Sequence, residues 1–252
     1  MIKVLIERIR QGKRTASIEK IKAGLPDVFR GYPEIDQSKC DARCKLCVEV
    51  CPTKAIWKEG NTIRLDLGKC LFCPECEQVC PTSCIHFTKD YRLATSKRED
   101  LLIGKKEIEL AKDINEKTRK IFGHSLRLRQ VSAGGCNACE ADVNVLGTLV
   151  FDLGRFGIQF VASPRHSDGI LVTGPVTQNM KLALEKTYKA VPEPKIVIAV
   201  GSCPISGGLF AHHNEVHRGL DNIIPVDLYI PGCPPHPITI LDGLLRLIGR
   251  IK

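Results

Sequence analysis

Residues 40–52 read CDARCKLCVEVCP, and residues 70–81 read CLFCPECEQVCP. Each stretch carries four cysteines and closes on Cys-Pro. The second, Cys70-x2-Cys73-x2-Cys76-x3-Cys80-Pro81, has the spacing that holds a [4Fe–4S] cube. Three thiolates on one tight loop grip one face, and the fourth cysteine reaches a neighbouring cluster. The first stretch has one more residue between Cys40 and Cys44, a departure from the usual run. The spacing predicts Cys40, Cys44 and Cys47 with Cys80 at one cluster, and Cys70, Cys73 and Cys76 with Cys51 at another. Zinc is the rival, but it favours two separated cysteine pairs and calls for neither a third close cysteine nor a Cys-Pro end.

The two stretches are copies. Cys44, Cys47 and Cys51 recur 29 positions on as Cys73, Cys76 and Cys80, and VCPTKAI at 50–56 returns as VCPTSCI at 79–85. A cluster loop, a helix and a strand used twice predict an α+β ferredoxin-like domain over 36–95. Cys84 falls opposite Ala55, which cannot be a ligand, so Cys84 reads as a small buried residue.

The chain has 252 residues, 43% of them apolar and 26% charged, ordinary values for a globular protein of about two domains. Thirteen cysteines are many. Residues 1–12 mix Ile2, Leu5, Ile6 and Ile9 with Lys3, Glu7, Arg8 and Arg10, which is not the apolar core of a signal peptide. No run is long and apolar enough to span a bilayer. The cysteines therefore read as metal ligands in a reducing cytoplasm. The formal charge of +9 shrinks to about +3 if three cubes of about −2 each are bound. With no aromatic-rich basic element or helix-turn-helix signal beside it, nucleic acid is not an expected partner.

Residues 1–35 are expected to form an amphipathic helix followed by an arm that is extended over 23–39. The helix either packs on this chain or a partner subunit, or rests its basic, apolar-striped surface on a membrane. Residues 96–125 read as a charged helical linker, with Leu110, Ala111, Ile114 and Ile121 on one face. From 126 to 252 short apolar runs alternate with helices. LRLRQVSA, IQFVAS, DGILVTG, KIVIAVG and VDLYIPG are strands; 141–156, 178–190 and 238–251 are helices. That pattern predicts an α/β doubly wound (flavodoxin-like) parallel-sheet domain.

Four further cysteines, Cys136, Cys139, Cys203 and Cys233, each follow a predicted strand. Open parallel sheets put their ligand sites at that edge. Four thiolates with no histidine suit a third [4Fe–4S] cluster better than a structural zinc.

GGCNACEADV, FGIQFVASPRHSDGILVTGPVT, KIVIAVGSCPISGG and IPVDLYIPGCPPHP resemble the small subunit of membrane-bound, group 4 [NiFe]-hydrogenases of the formate hydrogenlyase type. These are related to the complex I subunit that bears the terminal cluster. FRGYPEIDQSKC, LGKCLFCPECEQVCPT and YRLATSKREDLL resemble the two-cluster ferredoxin subunit of the same complexes, so the chain looks like the two fused. Complex I subunits carry adjacent cysteines at the first ligand site, whereas here the pair is Cys136-Asn137-Ala138-Cys139, as in hydrogenases. The resemblance implies that Cys136, Cys139, Cys203 and Cys233 hold the cluster nearest a [NiFe] centre in a separate large subunit. It also implies membrane-arm subunits and an electron donor or acceptor (ferredoxin or a formate dehydrogenase module). The expected place is peripheral, on the inner face of the cell membrane.

Glu140 is either a proton carrier toward the large subunit or a helix-start acid favoured by the dipole. Arg165 and His166 read as docking residues. His212, His213 and His217 read as a solvated or interface loop. No nucleophile or acid–base set for independent catalysis is visible. The expected function is electron transfer through three [4Fe–4S] clusters between a redox partner and the [NiFe] large subunit. The alternatives are the equivalent subunit of a complex I-like or nickel-free complex, and an independent iron–sulfur carrier.

Overall fold

The computed structural model describes residues 2–12, 14–104, 108–111 and 125–251. The elements run α1 (Ile2–Gln11), α2 (Ile18–Ala23), β1 (Pro33–Ile35), α3 (Leu46–Val50), β2 (Ile56–Glu59), β3 (Thr62–Asp66), α4 (Glu75–Gln78), β4 (Ile85–Phe87) and β5 (Leu102–Ile103) in the front half. The rear half has β6 (Leu126–Ser132), α5 (Ala138–Val145), β7 (Ile158–Phe160), β8 (Gly169–Thr173), α6 (Gln178–Ala190), β9 (Ile196–Val200), α7 (Ser202–Ser206), β10 (Leu228–Ile230) and α8 (Pro237–Leu247).

The sequence repeat is a structural one. Each copy runs from a cysteine loop into a short helix, α3 or α4, and on to a strand, β2 or β4. In both copies the residue three past the Cys-Pro cysteine turns left-handed, Lys54 at φ 52° and Ser83 at φ 48°. The next amide then points back at the sulfur: Ala55 N–H donates to Cys51 Sγ at 3.2 Å, and Cys84 N–H to Cys80 Sγ at 3.3 Å. β4 pairs antiparallel with β1, while β2, β3 and β5 form a second antiparallel sheet.

Two expectations for the connecting segments are corrected. The arm over 23–39 is only partly extended: it begins at the end of α2, continues into β1, and closes on a 3-10 turn at Gln37–Lys39. At its centre the backbone is pressed against residue 90; a Cβ on Gly31 would stand 2.1 Å from the Asp90 carbonyl oxygen. The linker expected to be helical from 96 starts instead with a 3-10 turn, Arg98–Leu101, and strand β5 on β3. Burial decides this, since Leu101 and Ile103 are buried with β3. Arg98 also forms a two-pronged ion pair with buried Asp66, at 2.9 and 2.7 Å. Ile114 and Ile121 of the expected linker helix lie outside the described residues.

In the rear half the strand order is β10-β9-β8-β6-β7, all parallel. Counted within this sheet, that is the 2-1-3-4-5 order of a doubly wound fold, with its switch point between β6 and β8. β8, β9 and β10 are buried at every residue, as a sheet covered on both faces requires. One face packs on α5 and α8. The other shares a single apolar cluster with the front half, from Ile63 and Leu65 through Val172 and Val197 to Tyr229. The β10 edge is closed by Thr95, which exchanges backbone hydrogen bonds with Tyr229 at 3.0 and 2.9 Å. The helix expected over 141–156 stops at Val145; Asp152 sits left-handed at φ 47°, and a 3-10 turn resumes at Leu153–Phe156.

Every residue of α1 is exposed, so its apolar stripe is not buried against the described residues. No helix among the described residues is long and apolar enough to cross a membrane.

Candidate metal centres

Two cavities in the front half are lined by thiols. One has Cys40, Cys44, Cys47 and Cys80 in its wall, together with Cys84. The other has Cys51, Cys70, Cys73 and Cys76, roofed by Ile56 and Leu65. The last cysteine of each run thus faces the first three of the other. Backbone amides aim at the sulfurs: besides the Ala55 and Cys84 amides, Phe72 N–H donates to Cys70 Sγ at 3.3 Å. Phe72 adopts φ 56° to do so. The Thr53 and Thr82 hydroxyls stand 3.8 and 3.7 Å from Cys51 and Cys80 Sγ.

Burial pushes the thiols upward. Cys76 is raised to about 12, first by burial and then by its thiol neighbours Cys73, Cys51 and Cys47. Cys70 and Cys47 move the same way for the same first reason. Cys80 is the exception. Burial acts upward on it too, but hydrogen bonds from the Cys84 amide and thiol and from Thr82 prevail and hold it at about 7. Clusters of buried thiols without a compensating cation stay protonated; a positively charged iron core is the group that lets them ionise together. Among the described residues no three His, Cys, Asp or Glu side chains converge as a single ion would require. The thiols instead ring cavities, an arrangement that fits a cube better than one zinc.

The third set lies where the rear sheet's strands end. Cys136 and Cys139 follow β6 at the switch point, Cys139 in the first turn of α5. Cys203 follows β9 in the first turn of α7, and Cys233 follows β10. Burial comes first in raising Cys139, Cys203 (to about 12) and Cys233; the charges of the companion thiols come next. The four are thus within electrostatic reach of one another. Glycine is required here. Gly201 has φ 102°, and a Cβ on it would stand 2.7 Å from Cys139 Sγ. A Cβ on Gly208 would stand 3.0 Å from Cys203 Sγ. Cys139 is buried, while Cys136 and Cys233 are exposed, so the set opens to the surface on their side.

Glu140 is buried, and its Oε1 accepts hydrogen bonds from Ser132 Oγ at 2.5 Å and Thr173 Oγ1 at 2.7 Å. These hydroxyls, at the ends of β6 and β8, carried no signal in the sequence. Arg165 and His166 are exposed on a 3-10 turn after β7. His213 Nδ1 accepts from the Glu215 amide at 3.1 Å, and His217 Nε2 pairs with Gln178 Oε1 at 3.2 Å. His212 is exposed on the same loop.

The serines of α7 escaped the sequence reading. Ser202 Oγ lies 2.6 Å from the Cys70 carbonyl oxygen, and Ser206 Oγ donates to the Gly68 carbonyl at 2.9 Å. The loop of the second thiol set is therefore fastened to the helix that carries Cys203.

Thiol sets on a dicluster loop and at the edge of a parallel sheet, in one covalent chain, define an iron–sulfur electron-transfer subunit of an oxidoreductase. Residues 32–81 match the 4Fe-4S dicluster domain, and residues 136–247 match the NADH ubiquinone oxidoreductase, 20 Kd subunit family. A probable membrane-bound hydrogenase subunit mbhJ of Pyrococcus furiosus is 42% identical over 132 residues, 52% of this chain and 79% of that one. Formate hydrogenlyase subunit 7 of Escherichia coli is 44% identical over 133 residues, 53% of this chain and 52% of that one, so the chain spans about half of that relative's length. An NADH-quinone oxidoreductase subunit of Heliobacterium modesticaldum is 43% identical over 121 residues, 48% of this chain and 69% of that one. The chain belongs to the NADH ubiquinone oxidoreductase 20 Kd subunit family, with a dicluster domain joined ahead of the family's own fold.

Proposed function

We propose that this chain is the electron relay of a membrane-associated [NiFe]-hydrogenase complex, with three [4Fe–4S] sites in series. Cys40, Cys44, Cys47 and Cys80 hold the first, in a ferredoxin-like domain over about 36–95. Cys51, Cys70, Cys73 and Cys76 hold the second, and Cys136, Cys139, Cys203 and Cys233 the third. Each site, when filled, takes up and gives back one electron at a time. The chain's own groups set the spacing and tune the sulfurs. Amide N–H groups of Ala55, Phe72 and Cys84 lie against ligand sulfurs, where they stabilise negative charge.

The observation that carries the reading is the convergence of three separate loops on one sheet edge, with the Cys136–Cys233 side exposed. That side is where a large subunit with the [NiFe] centre would dock. Glu140, buried and held by two hydroxyls beside Cys139, is placed to carry protons there. Membrane-arm subunits and a ferredoxin or formate dehydrogenase module complete the proposed assembly, on the inner face of the cell membrane. The similarity to an NADH-quinone oxidoreductase subunit favours a second reading, a complex I-like or nickel-free relative of the same assembly. Purification of the intact complex tests both. About twelve irons per chain are expected, with nickel in a co-purifying subunit. Iron without nickel selects the second reading, and a lone soluble chain refutes both.

A further inference from the structure

We propose that Ser202 is a positioning residue that couples the second and third cluster sites. The inference rests on the three-site relay reading above. Ser202 is buried, at 1% exposure, and it immediately precedes Cys203. Its backbone N–H donates to the Gly232 carbonyl at 2.8 Å, beside Cys233. Its hydroxyl lies 2.6 Å from the Cys70 carbonyl oxygen and 3.1 Å from that of Gly232. A hydroxyl has one proton to donate. Gly232 is already served by the amide, and the Cys70 contact is the shorter, so the proton goes to Cys70.

One residue thus joins three ligand-bearing loops drawn from both halves of the fold, its hydroxyl to the Cys70 loop and its amide to the Cys233 loop. From Cys70 Sγ to Cys203 Sγ runs a path of covalent bonds broken by a single short hydrogen bond. The surroundings hold this geometry still. A Cβ on Gly68 would meet Ile205 Cγ2 at 2.7 Å, so the turn before Cys70 lies directly on α7. Asp66 accepts from the Gly68 amide at 2.9 Å and is itself clamped by Arg98. Ser206, one turn further along α7, ties down Gly68 but lies off the path between the two cysteines. Without the Ser202 hydroxyl, the Cys70 carbonyl loses this donor, and of the side-chain links from α7 to the Gly68–Cys70 turn among the described hydrogen bonds only the one from Ser206 to Gly68 remains.

The test compares wild-type complex with Ser202→Ala, Ser202→Cys and Ser206→Ala. Iron content and the EPR signature of each cluster are measured first, then the magnetic interaction between second and third clusters and the rate of electron equilibration between them by rapid freeze-quench. Ser202→Ala is expected to keep its iron and its individual cluster signals, weaken the magnetic interaction, and slow equilibration roughly tenfold, as small displacements of reacting groups do. Ser202→Cys, a weaker donor of similar size, is expected to fall between Ala and wild type. Ser206→Ala is expected to equilibrate at the wild-type rate. An unchanged rate in Ser202→Ala overturns the proposal. Equal slowing in Ser206→Ala also does, because general packing of α7 would then be responsible. Loss of iron from both Ser202 variants makes Ser202 a folding residue and overturns it as well. A wild-type complex with fewer than about twelve irons per chain instead sinks the three-site relay itself.

Discussion

Gly201→Ala puts the sheet-edge site under the most direct strain. Gly201 adopts φ 102° and ψ 161°, a region that is essentially glycine-only and costs another residue about 1–3 kcal/mol. The added methyl would stand 2.7 Å from Cys139 Sγ, a sulfur anchored in the first turn of α5. Forcing such a contact in a packed interior costs about 1–3 kcal/mol more. The combined cost of about 4 kcal/mol is less than the usual stability of a folded domain. The chain should fold but lose the geometry of one thiol set. The control is Gly60→Ala, at φ 60° with nothing within 4 Å, which carries backbone strain alone. Iron per chain in purified Gly201→Ala should fall from about twelve to about eight, with the two dicluster EPR signals intact. Gly60→Ala should retain all of its iron. Full iron and an unaltered third signal in Gly201→Ala would refute both the close packing at Cys139 and the placement of a cluster there.

Other perturbations separate local roles. Cys84 Sγ lies 3.2 Å from Cys80 Sγ, whereas the repeat places Ala55 opposite it. Removing that donor in Cys84→Ala should lower the midpoint potential of the first cluster while leaving the second unmoved in an EPR-monitored titration. Cys84→Ser should restore most of the difference. Arg98→Ala leaves Asp66 buried without its partner and should cost about 3 kcal/mol in denaturant unfolding of the chain. Burial raises the Asp227 carboxyl above its ordinary value and outweighs the hydrogen bond from the Val197 amide, which acts downward. A raised folded-state value means that stability is full below the unfolded value of 3.8 and declines as pH rises through the folded one. Asp227→Asn should therefore gain stability over wild type at neutral pH, a gain that disappears as the medium is acidified. Equal gains at both pH values in urea titrations would show that the carboxyl is not the cause.

The sequence by itself determined a good deal. The repeat told which residues occupy equivalent places, because two copies of one loop, helix and strand must put Cys51 and Cys80 in matching positions. Alternating apolar runs and helices sufficed for a parallel sheet, since only strands covered on both faces can be apolar at every position. Cysteines just past strand ends could be gathered into one set because parallel strands all end at the same edge. Tertiary structure decided the rest. Arg98–Ile103 looked like charged linker, yet the unpaired β3 edge and the carboxylate of Asp66 capture it as a turn and strand. Thr95 closes a sheet edge that lies more than a hundred residues away in sequence. Ser202 has no motif of its own, and only when α7 lies on the Gly68–Cys70 turn does its hydroxyl meet a ligand's carbonyl. Spacing along a chain reports which groups one loop can bring together. Contacts between distant loops depend on how the two halves pack, and short polar side chains leave no periodic trace of that packing.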